Sequence, residues 1–288
     1  MSNFENNLNA IAESMVADID EWCKQTLSEP MRKHLGASMI GDSCSRKLWY
    51  GFRWAKPTDF SSEYKTAGQT LRLLNRGHSE EQHFIKYLEG IGCRFEHTPD
   101  EQVRISDCEG HFGGSLDNEG HLPPKFEYVK PVLFEFKTSN ESNFSQLKKN
   151  GLRRNKPIHF AQMSTYGYKR NLDFGVYVVV NKNTDEIYIE LVKLDHELGR
   201  MMIDKAMSII TAKPEEPPAK ISLSAANLAC KWCNFTAICH HGERPVINCR
   251  SCVNAAPLAN AKWGCKLYNM EIPDDYIEKG CDKHVGIS

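Results

Sequence analysis

A carboxylate and an amine stand two residues apart in Val132-Leu133-Phe134-Glu135-Phe136-Lys137. In a β-strand alternate residues share a face, so Glu135 and Lys137 point the same way with Leu133, while Val132, Phe134 and Phe136 form an apolar face. Seventeen residues separate Glu135 from a second acid, Asp117, which closes the β-like stretch Gly113-Gly114-Ser115-Leu116-Asp117. Glycines there let a backbone or ligand approach closely. Two acids and a lysine on one sheet can hold a hard divalent cation such as Mg²⁺ or Mn²⁺ through carboxylate oxygens. The lysine can orient or deprotonate an attacking water, and the ion neutralises a phosphate under attack.

Sulfur forms the second set. Seven of the eleven cysteines fall in the last 59 residues. Cys230, Cys233 and Cys239 follow a C-x2-C-x5-C spacing. Three soft thiolates select iron–sulfur clusters or zinc, and leave one position to be filled from elsewhere. His240 or His241 could complete a zinc site, and unligated buried thiols are the remaining alternative. Further on, Cys249-Arg-Ser-Cys252 has zinc-knuckle spacing, followed by Cys265, Cys281 and His284. Cys249, Cys252, Cys265 and Cys281 fit a closed, structural zinc shell, with His284 as the competing fourth ligand. Cys23, Cys93 and Cys108 read as small buried hydrophobes.

These residues need a scaffold. Apolar side chains at Leu8, Ile11, Met15, Ile19 and Trp22 have helical spacing and predict an N-terminal packing helix over residues 5–27. Another helical pattern runs from Ser62 to about Leu88 and stops at Gly90 and Gly92. Strands are expected near Gln102–Ile105, His111–Asp117, Pro131–Lys137, Phe174–Asn181 and Glu186–Lys193. Ile158–Arg170, entered through Pro157, and Leu194–Thr211 read as helices. Lys213–Lys220 reads as a proline-rich linker. The expected division is an N-terminal helical segment (1–40), a core (41–212), a linker and cysteine segment completing that core (213–247), and a zinc-binding module (248–288).

Net charge is −1, so any nucleic-acid contact must come from local basic clusters. Lys148, Lys149, Arg153, Arg154 and Lys156 lie within nine residues without an intervening acid, a run that attracts phosphates or else is a solvated loop. No apolar run approaches the roughly 18 residues of a membrane-spanning helix. The first residues, MSNFENNLNAIAESM, lack the basic and apolar regions of a signal peptide, which predicts a cytoplasmic protein with reduced thiols, in a host cytoplasm if the chain is phage-encoded.

Gly114-x-x-Asp117 followed by Glu135-Phe136-Lys137 resembles the signature of the PD-(D/E)xK nuclease superfamily. Gln162 and Tyr166, four apart on an expected helix, resemble the Q-x-x-x-Y motif of its RecB-like branch. Upstream, in Gly77-His78-Ser79-Glu80-Glu81, Glu81 matches the acid of phage-type exonucleases and His78 is the competing ligand. The resemblance implies a restriction-endonuclease-like α/β core, a mixed sheet flanked by helices, with a Cys-rich metal-binding C-terminal region. It implies that Asp117, Glu135 and the Phe136 carbonyl hold Mg²⁺ or Mn²⁺ with help from Glu81, that Lys137 positions the water, and that Gln162 and Tyr166 steady the nucleic acid or the lysine. Cys44, in Ser43-Cys44-Ser45-Arg46-Lys47-Leu48-Trp49-Tyr50, resembles the first cluster cysteine of AddB and the CRISPR-associated RecB-like exonucleases. The one-plus-three order implies a [4Fe–4S] cluster on Cys44, Cys230, Cys233 and Cys239.

By that likeness the chain is expected to be a metal-dependent DNA exonuclease of phage replication, recombination or DNA degradation, with DNA and replication or recombination proteins as partners. A CRISPR-type end-processing nuclease is the first alternative. A non-catalytic DNA-binding or structural module is the second. The sequence does not fix an oligomeric state.

Overall fold

The computed structural model describes residues 8–27, 30–57, 67–98, 101 and 103–288. Ser62, where one expected helix begins, and Gln102, where one expected strand begins, lie outside them. The chain divides into two compact units, residues 1–31 with 57–80, and residues 32–56 with 81–288. The first holds helix α1 (Leu8–Leu27) and the opening turns of α3. Of the described α1 side chains only Cys23 is buried. The expected packing face is instead exposed, with Met15, Ile19 and Trp22 at least half open to solvent.

In the larger unit the elements follow as β1 (Leu35–Gly36), α2 (Ser45–Phe52), the end of α3 (Ala67–Gly90), β2 (Arg94–Phe95), β3 (Arg104–Asp107), β4 (Phe112–Ser115), β5 (Asn118–His121) and β6 (Val132–Ser139). Then come α4 (Glu141–Asn155), α5 (Pro157–Arg170), β7 (Phe174–Asn181), β8 (Ile187–Lys193) and α6 (His196–Thr211). The chain ends with α7 (Leu228–Lys231), α8 (Thr236–His241), β9 (Ala255–Pro257), β10 (Trp263–Cys265), β11 (Met270–Glu271) and α9 (Asp274–Ile277).

A mixed five-stranded sheet, β2-β5-β6-β7-β8, is the frame of the site. β6 and β7 are parallel, joined through α4 and α5, and the other neighbours are antiparallel. Strand β6 is buried on both faces, as a central strand covered by helices must be. On its apolar face Phe134 and Phe136 pack with Val176, Val178 and Val180 of β7 and with Phe84, Ile85 and Leu88 of α3. The Phe84 and Phe136 rings stack at 5.4 Å. The other face carries Leu133, Glu135 and Lys137 beneath α5. Small sheets β1-β4-β3 and β11-β10-β9 complete the fold.

Two local expectations change. The stretch expected as one strand, His111–Asp117, is a short strand and a crossing: β4 belongs to the small sheet, and the chain passes through Leu116 and Asp117 into β5 of the large one. The basic run is helical rather than a loop from Lys148 to Arg154, and Lys156 lies between α4 and α5. Asn140 caps α4 by accepting from the Asn143 amide at 2.9 Å, and Phe144, Leu147 and Leu152 bury one side. Gly151, at φ 71°, breaks the helix, and Glu190 accepts from the Leu152 amide at 2.8 Å to restart it.

Candidate active site

Asp117 is fixed by backbone. Its Oδ2 accepts from the Phe136 amide at 2.7 Å, which locks the crossing between β4 and β5 onto β6. Lys137 Nζ donates to the Phe136 carbonyl at 3.0 Å, lies 3.6 Å from Asp117 Oδ2, and makes an ion pair with Glu135. Glu135 has no solvent exposure, and neither of its carboxylate oxygens has a well-formed hydrogen bond. A buried carboxylate with spare acceptor capacity is costly unless a cation meets it. The ammonium of Lys137 thus lies against Asp117, Glu135 and the Phe136 carbonyl, the three groups expected from the sequence to hold a metal.

The electrostatics agree. Burial first, and then the Asp117 charge, push the Glu135 carboxyl up. The same two causes, in the same order, raise Glu81 to about 7 against a smaller pull from Lys137. Glu81 on α3 thus senses the Asp117 charge, but among the described residues the carboxylate oxygens of Glu81, Asp117 and Glu135 do not all lie within 4.8 Å of one another. For Lys137, burial opposes the charge, but Asp117 and Glu135 together outweigh it and hold the ammonium well above its usual range. Perturbed titratable groups cluster at functional sites, and structural ion-pair networks produce them as well. His78 is exposed one turn earlier on α3, in the other unit.

Gln162 and Tyr166 are both buried on α5. The Tyr166 hydroxyl donates to the Ser115 carbonyl at 2.9 Å and accepts from Gln162 Nε2 at 3.3 Å. The pair braces the approach to Asp117, and neither side chain hydrogen-bonds to Lys137. Gly114 makes room: a Cβ there would stand 2.7 Å from the Tyr166 oxygen. The close approach anticipated at this glycine comes from the protein's own tyrosine.

Sequence reasoning missed two groups here. His159, one turn before Gln162 on α5, lies with Nδ1 2.6 Å from the Tyr177 hydroxyl, and Tyr177 sits opposite Glu135 in the β6/β7 register. Burial, then the Lys137 charge, lower His159 to about 4, so it is neutral at ordinary pH. The helical interval of three from His159 to Gln162 was the available signal. The second group is Glu96, His97 and Glu119, whose ligand atoms lie within 4.8 Å of one another. This is a set able to hold a divalent ion. Glu119 already has a two-pronged pair with Arg170 at 2.6 and 3.1 Å, and Glu96 lies 3.2 Å from His121. Spread over residues 96–119, the set carries no spacing motif.

Of the basic run, Lys148 pairs with Glu186, and Arg153 lies 3.7 Å from Asp195. Lys149 and Arg154 are exposed.

Neither cysteine set is assembled tightly enough for a single ion. Among the described residues no three cysteine sulfurs come within 4.8 Å of one another, whereas a zinc–sulfur bond of ~2.3 Å sets tetrahedral sulfurs about 3.8 Å apart. A Cys-rich metal site is therefore not formed as expected. Cys44, Cys230, Cys233 and Cys239 nonetheless line one cavity of about 380 Å³. Burial pushes the Cys233 and Cys239 thiols up, while Lys47 pulls the first back and Lys220 and Arg46 the second. In the C-terminal set, burial and then Cys281, Cys252 and Cys265 raise the Cys249 thiol. His284 Nε2 is 3.0 Å from Ser251 Oγ.

No helix among the described residues is long and apolar enough to cross a membrane. No family model and no curated protein matches the chain. Among solved structures, SSO0001 is similar at 18% identity and a TM-score of 0.42, over 80% of this chain and 96% of that one. An alkaline exonuclease from Laribacter hongkongensis, LHK-Exo, is similar at 16% identity and a TM-score of 0.40, over 66% of this chain and 90% of that one, as is its complex with dAMP.

Proposed function

We propose that this chain is a Mg²⁺- or Mn²⁺-dependent deoxyribonuclease that hydrolyses phosphodiester bonds at DNA ends. One observation carries the reading: the Lys137 ammonium is held by Asp117, buried Glu135 and the Phe136 carbonyl. That donor set is all oxygen and suits a hard divalent ion. A resident cation in contact with those oxygens supports the reading. Asp117, Glu135 and the Phe136 carbonyl would hold the ion, with Glu81 as a further ligand. Bound there, the ion supplies Lewis acidity and charge neutralisation to the phosphate.

The chain's own residues do the rest. Asp117 and Glu135 give up their hold on Lys137, which turns to orient the attacking water. Gln162 and Tyr166 keep Ser115, and through it Asp117, in place. Lys149 and Arg154 are free to meet phosphates along the strand. Neutral His159, bonded to Tyr177, borders Lys137 without adding charge. We assign a [4Fe–4S] cluster to the four-cysteine cavity, supported by its shared lining and the cations around it. A structural zinc is assigned to the C-terminal cysteines, supported by the effect of Cys281, Cys252 and Cys265 on the Cys249 thiol. The exonuclease role in phage replication, recombination or DNA degradation follows from the motif resemblance alone.

End-labelled single- and double-stranded DNA, incubated with and without Mn²⁺, tests the reading. Cutting that needs the ion and disappears in Glu135→Gln supports it. DNA binding without ion-dependent cutting would make the chain a binding module.

A further inference from the structure

At the end of the large sheet, outside the Asp117–Glu135 site, two carboxylates and an imidazole converge. Strand β2 is the end strand, beside β5, and its ladder runs one residue further: the Glu96 amide donates to the Glu119 carbonyl at 2.9 Å. Asn118 Nδ2 donates to the His97 carbonyl at 3.0 Å. These bonds hold residues 96–97 against 118–119, and ligand atoms of Glu96, His97 and Glu119 come within 4.8 Å of one another. Glu119 is 3% exposed and pairs through both oxygens with Arg170. Glu96 is exposed, so an ion can enter from solvent.

Two imidazole rings favour a metal here over an ion-pair network. His97 Nε2 is buried and has no hydrogen-bond partner, an uncommon state for a buried polar atom. His121 Nδ1 lies 3.1 Å from the Val129 carbonyl, and its Nε2 lies 3.2 Å from Glu96 Oε1. A carbonyl only accepts, so Nδ1 carries the proton, and the neutral ring turns the lone pair of Nε2 toward the carboxylate. A ring whose other nitrogen donates to a backbone carbonyl is the usual arrangement of a metal-ligating histidine. Arg170 offsets one of the two carboxylate charges. A protonated His121 could offset the other, but it would leave His97 Nε2 without a partner. A metal ion uses both rings.

We propose that Glu96, His97 and Glu119 form a zinc site, with His121 Nε2 turning in as the fourth ligand, separate from the oxygen-lined site at Asp117 and Glu135. Two imidazoles and two carboxylates suit a borderline ion in a closed tetrahedral shell, whereas Mg²⁺ prefers oxygen ligands alone. Glu119 stands opposite Leu133 in the β5/β6 register, so it shares a sheet face with Glu135, and Arg170 at the end of α5 holds it there. The ion would tie the end of β2 to β5 on this face. Its role is structural, since four protein ligands leave no place for a reacting water. The site goes beyond the nuclease reading and does not depend on it.

Full-length protein tests the site, with zinc itself as the probe. Zinc-edge anomalous scattering from crystals soaked in Zn²⁺ should show a peak among Glu96, His97 and Glu119, and excess Mg²⁺ should not remove it. Calorimetry should count one tight zinc fewer in Glu96→Gln and in His97→Ala than in wild type, the cysteines being common to all three proteins. Residual binding at the altered site should be weaker by more than about 100-fold, beyond the usual cost of losing an outer-shell partner. Zinc should accordingly raise Tm less in the variants than in wild type. Should His97→Ala not fold, Glu96→Gln, an isosteric change at an exposed side chain, decides the matter. Mn²⁺-dependent cutting is expected to persist in both variants, so failure of the zinc site and failure of the nuclease reading are told apart. Zinc found only at the cysteines, or held in equal number and strength by wild type and Glu96→Gln, would overturn the proposal.

Discussion

On the proposed reading the Lys137 ammonium occupies the place of a divalent ion, which separates metal binding from catalysis. Lys137→Met should reduce cutting by about 10²- to 10⁴-fold, the usual worth of a positioned proton-transfer group. It should leave Mn²⁺ affinity unchanged or higher, since the ammonium no longer competes. Calorimetry beside a cleavage assay checks both, and a parallel loss of affinity would show that the lysine helps to hold the ion. Glu81, raised to about 7, is protonated below that pH in the metal-free protein, and the ion must displace the proton. Mn²⁺ affinity should therefore fall as pH drops below about 7, roughly tenfold per pH unit for each proton displaced, and level off above. Glu81→Gln should release one proton fewer, measured by titration in buffers of different ionisation enthalpy. Glu135 and Lys137 were legible as neighbours on one face because a two-residue strand period places them without knowledge of the fold. His159 with Tyr177, and Glu96 with Glu119, were not, because each pair is made by register between separate elements.

At the scale of elements, α5 braces the crossing that carries Asp117. Tyr166→Phe removes a buried hydrogen bond to Ser115 and should cost about 1–2 kcal/mol of stability. Gly114→Ala sets a methyl 2.7 Å from the tyrosine oxygen and should cost about 1–3 kcal/mol by overpacking. The double variant should be less destabilised than the sum, because phenylalanine removes the atom the methyl strikes. Additive denaturant midpoints would mean the contact is not made. Replacing Lys149 and Arg154 by Gln should reduce the salt dependence of duplex binding by a log–log slope of about 2, one per lost phosphate contact; an unchanged slope would make the run a solvated face. Helix α5 and strand β7 were readable from Pro157 and from the unbroken Val-rich run 174–181. Helix α4 was not, because Asn150-Gly151 lowers helical propensity, and the Asn140 cap and three buried apolar residues offset it.

The whole molecule joins an oxygen-lined site on a mixed sheet to two thiol-rich regions, each gathered from residues far apart in sequence. The C-x2-C spacings predicted metal-bound sulfur sets, but among the described residues no three cysteine sulfurs come within 4.8 Å of one another, and the buried Arg53–Arg250 pair was invisible until α2 and the C-terminal strands came together. Likewise, Asp117 read as the end of one strand because sequence alternation cannot show a chain changing sheets. The central claim is that Asp117, Glu135 and the Phe136 carbonyl take a divalent ion in place of the Lys137 ammonium. Anomalous scattering from crystals grown in Mn²⁺ tests it directly. The account predicts a manganese peak between those three groups, with Lys137 turned aside. Crystals with no peak there, or with manganese solely among Glu96, His97 and Glu119, would contradict it.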